Sequence, residues 1–76
     1  MINFEMTTKE NFASFIDPES GVMVFVDSFD NQEFDVRVGN LFDSQPVGVV
    51  KAADDKTLNE KLTELYKKTQ QEQQCQ

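Results

Sequence analysis

The sequence predicts an α+β fold: a small antiparallel sheet with a C-terminal amphipathic helix packed on one face, in the order β-α-β-β-β-α. Three observations carry the prediction. Apolar and polar residues alternate over Ile2–Met6 and again over Phe34–Val38, clusters of turn-forming residues separate the apolar runs, and from Asp54 onward the apolar period becomes that of a helix. With 76 residues the chain can build one core but not two, so residues 1–70 read as a single domain.

Ile2, Phe4 and Met6 alternate with Asn3 and Glu5, the pattern of a strand buried on one side. Thr7-Thr8-Lys9-Glu10 then has the form of a capping box, in which hydroxyl and carboxylate satisfy free backbone N–H groups. A short helix is expected to follow, with Phe12, Phe15 and Ile16 as its apolar stripe. Asp17-Pro18 would end it, because a residue before proline avoids the helical region. Pro18-Glu19-Ser20-Gly21 is a turn, and Val22–Val26 is a run without polar alternates that reads as a strand covered on both faces. Asp30-Asn31-Gln32 is the next turn, and Phe34, Val36 and Val38 alternate with Glu33, Asp35 and Arg37 in the second arm of an antiparallel hairpin. Gly39-Asn40 and Asp43-Ser44-Gln45-Pro46 punctuate the chain before Val47, Val49 and Val50, a further strand.

From Asp54 to about Gln70, Leu58, Leu62, Leu65 and Tyr66 fall on one stripe of a helix. Asp54 or Asp55 caps its start, and Glu60 and Glu64 stand three or four positions from lysines on the solvent side. Residues 71–76, mostly glutamine, offer nothing to hold them to a core and are expected to fray or be disordered. The expected core is Phe12, Phe15, Ile16, Val24, Val26, Phe34, Val36, Val38, Val49, Leu58, Leu62 and Leu65.

The chemical repertoire is narrow. The chain has no histidine and one cysteine, Cys75, so the usual nucleophile–base pairs and zinc sites lack their residues, and no intramolecular disulfide can form. Gly21, Gly39 and Gly48 are isolated, so no phosphate-binding glycine loop can be read. Counting from Asp27 as a calcium loop places Phe29 and Gln32 where a ligand and a glycine are needed. No catalytic residue, metal or cofactor is expected. With no basic leader and no long apolar run, the expected location is the cytoplasm.

Charge is the most informative property. The net charge is −7, and residues 1–50 hold all of it, with nine acids against Lys9 and Arg37, while the remainder is balanced. Such a field disfavours direct contact with nucleic acid or an anionic membrane and favours a basic protein surface. The expected function is therefore that of a small acidic, non-enzymatic regulator or inhibitor. Its partner would be a basic, nucleic-acid-binding protein where the carboxylates imitate a nucleic-acid backbone, as in inhibitors of restriction or CRISPR enzymes. The expected contact residues are Glu19, Asp27, Phe29, Asp30, Glu33, Asp35 and Asp43. The alternative is a homodimeric assembly protein using an apolar sheet face of Met23, Phe25 and Phe29, provided no helix covers it.

Overall fold

The computed structural model describes the backbone of residues 2–40 and 42–74, with side chains as far as Gln70. Four strands, β1 (Phe12–Ile16), β2 (Met23–Ser28), β3 (Glu33–Gly39) and β4 (Ser44–Lys51), precede one helix, α1 (Asp55–Gln74). Each strand pairs antiparallel with the next, so the sheet order is β1-β2-β3-β4. The coarse prediction of a small antiparallel sheet with a C-terminal helix agrees with this architecture. The order β-α-β-β-β-α does not.

The expected N-terminal helix is replaced by β1. Half of the capping box forms: the Thr7 N–H donates to Glu10 Oε1 at 3.0 Å, but the Thr7 hydroxyl donates to the same oxygen at 3.2 Å, and the Glu10 N–H donates to the Thr7 carbonyl at 3.2 Å. It closes a single turn and stops. Asn11, Phe12, Ser14, Phe15 and Ile16 are indifferent helix formers, whereas as a strand they gain a full ladder against β2, from Phe12 opposite Asp27 to Ile16 opposite Met23.

The first residues also differ from expectation. Ile2, Phe4 and Met6 are buried as their alternation implies, but the segment belongs to no strand. The Asn59 side chain on α1 takes the place of a neighbouring strand, accepting from the Met6 N–H at 2.8 Å and donating to the Met6 carbonyl at 3.0 Å. Phe4 then stands edge-on to Phe15 of β1 and to Tyr66 of α1, with ring centroids 4.9 and 6.1 Å apart.

One face of the sheet is therefore roofed by α1 together with residues 2–6. Beneath them lie Val24, Val26, Phe34, Val36, Val38 and Val50, closed from above by Leu58, Leu62 and Tyr66. Phe15 and Leu65 are only partly buried. Three expected core residues are not buried: Phe12, Ile16 and Val49 are 56, 58 and 55% exposed. For Phe12 and Ile16 the cause is the strand, which turns them to the opposite face from Phe15. For Val49 it is a bulge opposite Val36 and Arg37, where Gly48 pairs with Val36 and Pro46 with Arg37. The inserted Val47 shifts the alternation, so Val50 turns inward in place of Val49.

Helix α1 starts where expected, with the Asp54 carboxylate accepting from the Thr57 N–H at 2.7 Å. Its backbone continues to Gln74, beyond the expected end near Gln70. Cys75 and Gln76 lie outside the described residues, as do the side chains of residues 71–74, so the expected disorder of 71–76 falls largely outside the description. No helix among the described residues is long and apolar enough to cross a membrane.

Candidate binding face of the open sheet

Because β1 lies in the sheet, no element among the described residues covers the face opposite α1. Val22–Val26 was expected to be covered on both sides, but β2 alternates buried and half-buried positions. Its half-buried residues, Met23, Phe25 and Asp27, point to the open face.

The register sets out this face in rows. Phe12, Asp27, Asp35 and Val49 form one, Ser14, Phe25, Arg37 and Pro46 the next, and Ile16, Met23, Gly39 and Ser44 the last. Apolar side chains dominate the β1–β2 half, and charges dominate β3. Arg37 Nη2 lies 3.2 Å from Asp27 Oδ2, and Lys51 Nζ lies 3.3 Å from Glu33 Oε1. Asp35 stands between Asp27 and Val49, with no ion pair among the described residues. The face thus has an apolar centre with charge on one flank, and its carboxylates are partly balanced.

The expected contact residues do not form one cluster. Asp27, Asp35 and Glu33 share the open face. Asp30 and Phe29 sit in the β2–β3 turn at its end, where Phe29 is fully exposed. Glu19 and Asp43 occupy the β1–β2 and β3–β4 turns, at the other end of the sheet. Phe29, expected to share a face with Met23 and Phe25, leaves it because β2 ends at Ser28.

Several carboxylates have structural duties. The Asp30 carboxylate accepts from the N–H groups of Glu33 and Gln32, both at 2.9 Å, and these bonds hold its carboxyl below the usual value. The Asp54 carboxyl is lowered in the same way by Thr57. Asp17 is 6% exposed and accepts from the Tyr66 hydroxyl at 2.7 Å and the Glu19 N–H at 2.9 Å, which lower its carboxyl. Each of these shifts stabilises the ionised form, the opposite of what a general acid requires. Among the described residues, no group of three acidic, histidine or cysteine side chains is arranged to hold a metal ion.

Against family models, curated proteins and solved structures alike, the chain finds no match.

Sequence reasoning missed Phe12 and Ile16 as members of the face. Their positions fit two patterns at once: with Phe15 they make a helical stripe, and with Ser14 they make the outward set of a strand. The second pattern was the signal that could have found them.

Proposed function

We propose that the protein is a small non-enzymatic binding module that regulates or inhibits another cytoplasmic protein by docking the open sheet face onto it. The observation that carries this reading is the uncovered face, on which Phe12, Ile16, Met23 and Phe25 lie together at the β1–β2 side. An apolar group of this kind, rimmed by charge, has the anatomy of an interface: an apolar centre supplies affinity, and charge supplies orientation. The partner's matching surface places apolar groups opposite Met23 and Phe25 and a cation opposite Asp35.

Two neighbouring readings have less support. Imitation of a nucleic-acid backbone calls for a row of unbalanced negative charges. Here Asp27 and Glu33 face Arg37 and Lys51, and Glu19 and Asp43 sit at the far end. A homodimer stacked face to face would bring Asp27 and Asp35 of two acidic copies together, at the cost of like-charge repulsion.

The test is capture of the partner from cells of the source organism, followed by titration of the purified pair. Met23→Ser with Phe25→Ser should weaken binding at least about tenfold while the circular-dichroism spectrum stays native, as expected when a central anchor is lost. Asp30→Asn, away from the apolar centre, serves as the comparison. A folded double variant that binds with unchanged affinity would sink the reading.

A further inference from the structure

The two edges of the sheet are not equally protected. At β4, Pro46 removes a donor, the bulge at Val47 breaks the ladder, and Lys51, Lys61 and Lys68 line the groove between that strand and α1. Such features discourage another strand from joining. At β1 none of them is present: Phe12-Ala13-Ser14-Phe15-Ile16 has no charge, no proline and no bulge.

The hydrogen-bond phase of that edge is fixed. The Ser28 N–H donates to the Asn11 carbonyl at 2.7 Å and the Asp17 N–H donates to the Val22 carbonyl at 2.8 Å, so odd-numbered residues bond to β2. The N–H and C=O groups of Phe12, Ser14 and Ile16 consequently point away from the sheet. No hydrogen bond among the described residues reaches them, and residues 2–6 pack on the roofed face without closing this edge.

We infer that β1 is a self-pairing edge, where a second copy of this chain adds its own β1 antiparallel about a two-fold axis through Ser14 and continues the sheet. The strand is complementary to itself in that register. Phe12 falls opposite the partner's Ile16 and Ser14 opposite the partner's Ser14, all with outward main-chain groups in phase. The exposed Phe12 and Ile16 side chains then meet across the junction on the open face. On the roofed face, the half-buried Phe15 meets the partner's Ala13, a large side chain against a small one.

Charge selects the same occupant and the same direction. Residues 11–16 are the one stretch between Lys9 and Asp17 free of charge, so two acidic copies can approach there without opposing carboxylates. Lys9 precedes β1 and Glu19 follows it, so antiparallel pairing brings each Lys9 towards the partner's Glu19, and parallel pairing would set like against like. This inference does not depend on the face-binding reading, since it uses the edge of the sheet.

Sedimentation of the pure chain from roughly 10 μM to 1 mM should show a monomer–dimer equilibrium. Added salt should strengthen it, because screening relieves repulsion between copies of equal charge. Ser14→Cys in a Cys75→Ser background should cross-link to a covalent dimer under mild oxidation, since strand partners opposite one another lie within disulfide reach. Ser44→Cys on β4 should not. Ser14→Pro removes only an outward N–H and should give a folded monomer; if it fails to fold, Ile16→Lys makes the same test with an exposed side chain. A monomer at every concentration, the result if the edge serves a strand from another protein, overturns the inference. So does cross-linking of Ser14→Cys no greater than that of Ser44→Cys, or a dimer that survives the edge substitutions in folded protein.

Discussion

The buried hydrogen bond between Tyr66 and Asp17 joins the end of β1 to the middle of α1, across 49 positions of sequence. Its two partners titrate in opposite directions. Burial, and then the bond to Asp17, push the Tyr66 hydroxyl up to about 12, while that bond lowers the Asp17 carboxyl from 3.8. A lowered carboxyl contributes stability that is present at neutral pH and lost as pH falls through the acid range below 3.8. A raised phenol contributes stability that is complete below pH 10 and lost as pH climbs towards about 12. Tyr66→Phe should therefore be less stable than the wild type at pH 7 in urea denaturation. The gap should narrow below pH 3.8, and the alkaline loss between pH 10 and 12 should shrink. A gap that stays constant across the acid range would show that Asp17 is not the group involved. Asn31 is a second joint, with φ of 61° and a side chain donating to the Thr8 carbonyl at 2.8 Å. Asparagine tolerates that left-handed conformation better than most residues, so a turn at Asp30-Asn31-Gln32 was legible from composition. Its tie to residue 8 was not, since no local pattern encodes a contact across 23 positions.

Among the elements, α1 was the most legible because its pattern is long and purely local. Leu62 is 1% exposed at the centre of the stripe. Leu62→Ala should cost about 2–5 kcal/mol, a large share of the stability of so small a domain, and should lower or abolish the thermal transition. An unchanged melting temperature would contradict the packing of α1 on the sheet. The hairpin of β2 and β3 was readable as two strands, since the apolar run of β2, the period-2 alternation of β3 and the polar turn between them agree, although β2 was expected to be covered on both faces. Besides residues 2–6, which belong to no strand, two elements misled. The capping box at Thr7–Glu10 is a local instruction to begin a helix, and it was obeyed for one turn until pairing with β2 overrode it. In β4 one extra residue exchanged Val49 for Val50, because alternation propagates any bulge to every later side chain. The first of these events separates the open face of the structure from the covered face of the sequence reading, and the second adds Val49 to it. The candidate site followed from them: Met23 and Phe25 were visible as a shared parity, but whether anything covered them depended on the fate of residues 12–16.

For the molecule as a whole, extents of 34 × 22 × 19 Å enclose a net charge of −7. At about 0.01 M salt the screening length is roughly 30 Å, which spans the molecule, and at about 0.15 M it is roughly 8 Å. Raising salt across this range should therefore increase the melting temperature by several degrees, given that about 1 kcal/mol moves the midpoint by roughly 4–8 °C in a domain of this size. Melting that is insensitive to salt would mean that local ion pairs such as Arg37 with Asp27 already offset the repulsion. Salt should act in opposite senses on the two associations argued above, weakening the grip of the open face on a basic partner and strengthening the pairing of β1 with its copy.

The clamp of Asn59 on Met6 also dictates an order of events. It bridges 53 positions, and the ring of Phe4 rests on Tyr66, so residues 2–6 acquire their seat only after residues 59–66 have been made. The four strands can pair with neighbours as they emerge from the ribosome, each waiting only for the next. Ile2, Phe4 and Met6 must wait through all of it, three apolar side chains without a site, until residues 58–66 arrive to complete one.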